Sequence, residues 1–392
     1  MKKESGFERL INDFSNLPYI KKSLTLIESN LTRFSIKTLS GSLKALTISL
    51  LWLKTNRQIF ILCPNKDVAN NWLHDLSLLA GENNIAFLCE PQKMVKTIDD
   101  TIDKELLWLI DGISVLQNNG KCIAVATPEI LNKEIPQPDE ISDFRISLKK
   151  GDNIIYDNLT KDLALNGFDR KDFVAIPGDM AVRGGILDIF PPGMENPLRI
   201  EFWGDEIESI REFETLSQRS ISYFDEISFI GHIFTDNNGQ NNSTIIDYLE
   251  NNCVFVIDEY ESIIVENQDF VYPQNFFTIF INSLGEPDVK VISHPQMSFQ
   301  SSVQKLAKEL VKLYYSNYKL YLCAEGKIHI ERFKELVENS LDFGEQLDEE
   351  NLHYDVNPQL ISKSINWFDQ TLSNGFIRSE EHTSELQSPN TI

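Results

Sequence analysis

Thr38-Leu39-Ser40-Gly41-Ser42-Leu43-Lys44-Ala45 runs directly into the apolar stretch Leu46 to Leu53 and has the outline of a phosphate-binding loop that has lost most of its chemistry. A working loop reads G-x-x-x-x-G-K-[ST] between a strand and a helix. Its glycines let backbone N–H groups surround phosphates, its lysine neutralises them, and its hydroxyl holds Mg²⁺. Gly41, Ser42 and Lys44 remain as the nucleotide-loop remnant, but Thr38 stands for the first glycine, Leu43 for the second and Ala45 for the hydroxyl. A leucine at 43 hinders close approach of a phosphate, and an alanine cannot ligate magnesium. Taken alone, the stretch reads as a plain strand-to-helix turn rather than a working nucleotide site. Asp258-Glu259 closes the apolar run Val254-Phe255-Val256-Ile257, where a Walker B pair would orient the metal and the attacking water. Acidic pairs at strand ends are otherwise simply solvated. Together the two remnants suggest an NTPase fold with its catalysis removed.

The surrounding pattern supports an α/β fold with a parallel sheet. Gln58 to Cys63, Ile85 to Cys89 and Cys122 to Ala126 read as short buried strands. Between them, Val68, Trp72, Leu76 and Leu79, then Leu106, Leu107, Ile110 and Ile113, repeat at helical spacing. Thr127-Pro128 offers an N-cap followed by a first-turn proline. The character changes at the Pro136-Gln137-Pro138 loop, and from about Phe144 to Phe229 the chain becomes β-rich. There Leu198 to Trp203 alternates, Gly204-Asp205 supplies a two-residue turn, and Glu206 to Phe213 returns. A last unit predicts a helix over Gln304 to Tyr315, a strand over Lys319 to Cys323 and a helix over Ile328 to Val337.

The 392 residues carry 36 Lys+Arg against 59 Asp+Glu, a net charge of −23. So acidic a chain repels phosphate backbones over most of its surface, which argues against non-specific nucleic-acid binding. The five cysteines stand apart in apolar runs and read as buried thiols, neither a disulfide framework nor a zinc site. The six histidines are scattered, so no metal is expected. Ala45 to Leu53 is too short to span a bilayer, and the start Met1-Lys2-Lys3-Glu4-Ser5 is unlike a signal peptide, so a cytoplasmic protein with no membrane partner is expected. Arg378 to Ile392 resembles the in-frame translation of a sequencing-library adapter and is set aside as a non-native, disordered tail.

The most specific stretch is Arg183-Gly184-Gly185-Ile186-Leu187-Asp188-Ile189-Phe190-Pro191-Pro192, continued by Pro197-Leu198-Arg199-Ile200-Glu201-Phe202-Trp203-Gly204-Asp205-Glu206-Ile207-Glu208-Ser209-Ile210-Arg211 and Gln218-Arg219-Ser220. With the lead-in Gly167-Phe168-Asp169-Arg170, it resembles the UvrB-homologous region of Mfd, the bacterial transcription-repair coupling factors. The excision subunit UvrB shares the architecture. Two differences favour the coupling factors: UvrB keeps a working phosphate loop, and its damage-probing hairpin is tyrosine-rich, whereas here no tyrosine lies between Tyr19 and Tyr156.

The resemblance implies a degenerate NTPase-like domain (UvrB domain 1-like) over 1–144 and 230–294, an inserted UvrA-binding domain 2-like module over 145–229, and a small α/β domain over 295–377. It further implies a non-catalytic UvrA-recruiting and autoregulatory module. In the family, RNA polymerase and double-stranded DNA are engaged, and ATP and Mg²⁺ are used, by later domains outside this sequence, against which the module packs. No cofactor is expected in the chain itself. Residue by residue, Arg183, Arg199 and the aromatic position Trp203 carry over as UvrA contacts. Period-2 alternation places Arg199, Glu201 and Trp203 on one strand face, opposite Leu198, Ile200 and Phe202. An Arg and a Trp together suit an interface, although Leu198 to Arg219 holds three arginines and six acids, so Arg199 could instead pair with Glu201 or another neighbour. Arg199→Glu is accordingly expected to abolish UvrA binding with the fold intact. Gly184 and Gly185 are expected to serve a bend or close strand packing. Two other classes remain. An active NTPase fragment would show a melting shift with Mg-ATP that Lys44→Ala removes. A UvrB-like damage-binding module would bind lesion-containing duplex at low salt.

Overall fold

The computed structural model describes residues 6–90, 104–118, 120–135, 137–139, 145–192, 194, 196–230, 243–267, 270–299, 302–342 and 357–379. Its elements, in chain order, begin with α1 Gly6–Phe14, α2 Pro18–Ile27, β1 Arg33–Lys37, α3 Leu43–Thr55, β2 Ile59–Leu62, α4 Lys66–Ala80, β3 Ile85–Leu88, α5 Lys104–Asn118 and β4 Ile123–Ala126. The β-rich part follows as β5 Arg145–Lys149, α6 Tyr156–Leu165, β6 Asp169–Arg170, β7 Asp179–Arg183, β8 Ile186–Ile189, β9 Leu198–Trp203, β10 Glu206–Phe213, β11 Ser220–Phe224 and β12 Glu226–Ile230. The rest comprises β13 Val254–Asp258, α7 Tyr260–Glu266, β14 Phe277–Ile281, β15 Val289–Lys290, β16 Ser293–Pro295, α8 Val303–Tyr315, β17 Tyr321–Cys323, α9 Lys327–Asp342, α10 Pro358–Ser364, β18 Asn366–Phe368 and β19 Phe376–Arg378.

The described residues form two bodies, one drawn from 56–69 and 83–280, the other from 1–55, 70–82 and 281–392. In the first, β13 pairs in parallel with β2, β2 with β4, and β4 with β3. Each is a short apolar run without polar alternation, which suits strands covered on both faces. Phe60 of β2 stacks on Phe255 of β13 with ring centroids 4.9 Å apart. The β-rich module enters and leaves side by side, because β5 and β12 pair antiparallel from Arg145↔Ile230 to Lys149↔Glu226. Between them lies a six-stranded sheet ordered β11-β10-β9-β8-β7-β6. Its inner face buries Leu187, Leu198, Ile200, Phe202, Ile207 and Ile210, and this apolar cluster continues unbroken to Phe60 and Ala124 of the parallel sheet. The packing therefore joins the module and those strands in one body, whereas the expected boundaries follow changes of sequence character. The predicted hairpin holds to the residue: β9 ends at Trp203, Gly204-Asp205 turns, and β10 starts at Glu206.

In the second body α3 is buried nearly all round, through Leu43, Ala45, Leu46, Ile48, Leu50 and Leu51, which marks it as a central helix. β1 pairs in parallel with β15, and β17 with β18. Leu306, Leu310, Val311, Val337 and Ile361 form a separate small core among α8, α9 and α10. The structure corrects the start of the tail. Arg378 belongs to β19, paired with Ser293 of β16, and the Ser379 amide donates to the Ile292 carbonyl at 2.9 Å. Ladder bonds come from the backbone, so the strand runs on whatever side chains follow Ile377. Residues 380–392 lie outside the described residues. Cys63, Cys89, Cys122 and Cys253 are buried and form no disulfide, and burial pushes the Cys122 thiol up to about 11.

Asp111 on α5 is a half-buried carboxylate whose desolvation raises its pKa to about 6. Because the folded value lies above the unfolded one, its contribution to stability is full below pH 3.8 and is lost as pH rises through 6. Asp111→Asn is therefore expected to stabilise the chain more at pH 8 than at pH 4, by about 2 kcal/mol. Urea melts at the two pH values measure the difference, and equal gains would assign the shift to another group.

Candidate functional site

The outer face of the β-rich sheet is built from cross-strand rows. Arg199 of β9 lies opposite Asp188 of β8 and Arg211 of β10, and Arg211 lies opposite Tyr223 of β11. Two arginines directly opposite repel unless neutralised, and both are. Arg199 donates through Nε to Asp188 Oδ1 at 2.6 Å and through Nη2 to Asp188 Oδ2 at 2.8 Å. Its Nη2 also donates to Gln218 Oε1 at 2.8 Å, and its Cζ stands 4.3 Å from the centre of the Phe213 ring. Arg211 pairs with Glu201, which also accepts from the Ser209 hydroxyl at 2.7 Å. Hydrogen bonding to Asp188 raises the pKa of Arg199 further, so the charge is fixed.

Arg199 was expected to stand free on this face or to pair nearby. It pairs with Asp188, and only 16% of its side chain is exposed. It borders a second small core of Val174, Ala181, Phe190 and Phe213 on the outer side of the sheet. Arg183 is more open. It donates to the Asp172 carbonyl at 2.7 Å, lies 3.9 Å from Asp188, and covers the exposed Phe173 ring at 4.3 Å. Trp203 projects at the hairpin end with 81% of its surface exposed. The three sequence-chosen residues thus share one sheet, with Trp203 and Arg183 accessible and Arg199 braced beneath. Sequence reading missed Asp188, Gln218 and Phe173 as partners, and it missed exposed Tyr223 and Ile221. The alternation Ser220-Ile221-Ser222-Tyr223 was the available signal for the last two. Gly185 serves close strand packing: its carbonyl accepts from the Phe202 amide at 2.7 Å, and an added Cβ would sit 2.6 Å from the Phe202 carbonyl oxygen.

The phosphate-loop remnant lies in the other body. Thr38 adopts a left-handed backbone, at φ 65°. Five N–H groups of the loop are already used. Leu39 donates to Asn282 Oδ1 at 3.0 Å, Ser40 to Ser293 Oγ at 3.0 Å, and Ser42 to the Asn374 carbonyl at 3.0 Å. Leu43 and Lys44 donate back to Ser40 and Gly41 at 3.2 and 3.3 Å. Leu43 and Ala45 are buried in the core, and Lys44 is half-buried. Asp258 is buried at the end of β13, not solvated, and Glu259 adopts φ 52° before α7.

Residues 146–232 match the model of the UvrB interaction domain. The chain is 31% identical over 191 residues to the transcription-repair-coupling factor of Bacillus subtilis, covering 48% of this chain and 16% of that protein. It is 46% identical over 80 residues to the same factor of Mycobacterium bovis, covering 20% of this chain and 6% of that protein. It is 27% identical over 218 residues to UvrABC system protein B of Thermosipho africanus, covering 52% and 33%. The chain thus spans only a minor part of each relative. Among the described residues no helix is long and apolar enough to cross a membrane.

Proposed function

We propose that this chain is a non-catalytic docking module of nucleotide-excision repair that recruits UvrA through the sheet of residues 145–229. The match of residues 146–232 to the UvrB interaction domain, over a sheet that presents Trp203 beside braced arginines, carries this reading. Trp203 is the apolar anchor, an amphipathic ring exposed at the end of a rigid hairpin. Arg183 supplies an accessible cation. Arg199 holds the face in shape and offers the remaining edge of its guanidinium. Similarity to coupling factors favours a role linked to transcription, with polymerase and DNA engaged by parts of such proteins beyond this stretch. The phosphate loop, with the amides of Leu39, Ser40 and Ser42 engaged by other parts of the chain, supports a module that hydrolyses no nucleotide.

The test is an anisotropy titration of the whole chain against purified UvrA, without nucleotide. Saturable binding is expected, and a folded chain that fails to bind overturns the proposal. Arg183→Glu is expected to weaken binding about tenfold with little change in melting temperature, because its side chain is 45% exposed and rim charges mainly steer association. Unchanged affinity would remove Arg183 from the surface.

A further inference from the structure

The turn Thr371-Leu372-Ser373-Asn374-Gly375 fills the phosphate-loop remnant of its own body. Ser42 N donates to the Asn374 carbonyl at 3.0 Å, and Asn374 N donates back to Ser42 Oγ at 3.0 Å. Ser42 Oγ and Ser373 Oγ stand 3.3 Å apart. Behind them, Asp75 of α4, 2% exposed, clamps Ser373 with both carboxylate oxygens, accepting from its amide at 2.6 Å and its hydroxyl at 2.8 Å. His74 Nε2 meets the Thr371 carbonyl at 2.6 Å. Gly41 has no room for a side chain, since an added Cβ would lie 2.7 Å from the Gly375 carbonyl oxygen and 2.9 Å from that of Asn374. Carbonyl oxygens thus lie against the loop where a working motif would place phosphate oxygens.

We propose that the remnant loop is a binding socket whose ligand is the chain's own Ser373-Asn374-Gly375 turn, a latch that fastens the segment after α10 and keeps anions out. The recognition is specific in chemistry. Asp75 is acceptor-only when ionised and selects a residue offering both an amide and a hydroxyl at 373. Ser42 is donor through its amide and acceptor through its hydroxyl, and so reads the backbone of 374 in both directions. Glycine at 41 lets two carbonyls approach. The socket therefore retains the backbone recognition of a phosphate loop after losing its ligands for phosphate and magnesium. This inference is independent of UvrA recruitment.

Two experiments on the whole chain test it. In the first, Ser42→Cys and Ser373→Cys are combined in a Cys323→Ser background, because Cys323 accepts from the Leu372 amide beside the turn. Mild oxidation is expected to give a 42–373 disulfide in most molecules, read by peptide mass mapping. In the second, hydrogen exchange is followed in Gly41→Ala and Ser373→Pro, which disturb the contact from opposite sides. Each is expected to speed exchange at the Ser42 amide at least tenfold while leaving Phe255 in the other body unchanged. Absence of the disulfide in a folded double-cysteine protein overturns the latch. So does Ser42 exchange that neither variant accelerates. If either variant fails to fold, the disulfide yield decides alone.

Discussion

Arg199→Glu is expected to unfold the β-rich module, so its loss of UvrA binding would not report a lost contact. Asp188 is the reason. Its side chain is 3% exposed, and Arg199 meets it with two parallel hydrogen bonds. Removing one partner of such a pair leaves a buried charge that the more distant Arg183, at 3.9 Å, compensates poorly, which costs roughly 3–5 kcal/mol. The new glutamate then faces Asp188 and adds repulsion, while Gln218 and the Phe213 ring lose the guanidinium they hold. The sequence-based expectation of an intact fold therefore gives way. Urea denaturation followed at the module should show a stability loss of about 3–5 kcal/mol, a large share of the roughly 5–15 kcal/mol that holds a domain folded. Arg199→Leu combined with Asp188→Leu is the informative control, because removing both charges returns much of the loss. If Arg199→Glu melts like the parent, the Asp188 pair is not what braces the sheet.

The hairpin, the parallel strands and the helix of 303–315 were legible because each rests on local periodicity and a turn signal. Trp203 could be placed outward by counting in twos from Leu198. What could not be read are the contacts that antiparallel register and tertiary closure create. Asp188 reaches Arg199 because β8 and β9 pair in one register, and a shift of one residue would have turned it to the other face. Tyr223 joins the same row by a second hairpin register. Thr127-Pro128 announced a helix, yet the chain makes only the short 3₁₀ turn Pro128–Asn132, without a side-chain cap from Thr127. The decay of the phosphate loop was plain in the motif comparison, where Thr38 and Leu43 occupy the two glycine positions and Ala45 the hydroxyl position. The turn that fills the loop lies some 330 residues later, and its Asn374-Gly375 pair signals a turn but not the partner it meets.

Trp203→Ala should separate recognition from stability where Arg199→Glu cannot. The ring is 81% exposed, follows the last inward residue of β9, and precedes a turn formed by Gly204-Asp205. Its removal takes almost no area out of the core, so the melting temperature should move by no more than about 1 °C. At an interface the same ring would be desolvated against a pocket. Truncating such a tryptophan typically costs roughly 2 kcal/mol or more, a loss of about 30-fold in affinity. The loss should fall mainly on the dissociation rate, since no charge that steers encounter is changed. Trp203→Phe should retain much of the affinity, because an aromatic face remains at the hairpin end. Tyr223→Ala tells how far the contact extends across the sheet: a comparable loss carries the interface from the β9–β10 turn to edge strand β11, and no loss confines it to the Trp203 end. Equal affinities of Trp203→Ala and the parent, at equal melting temperature, would take the anchor away from this hairpin and leave Arg183 and its Phe173 platform as the part of the face still open to a partner.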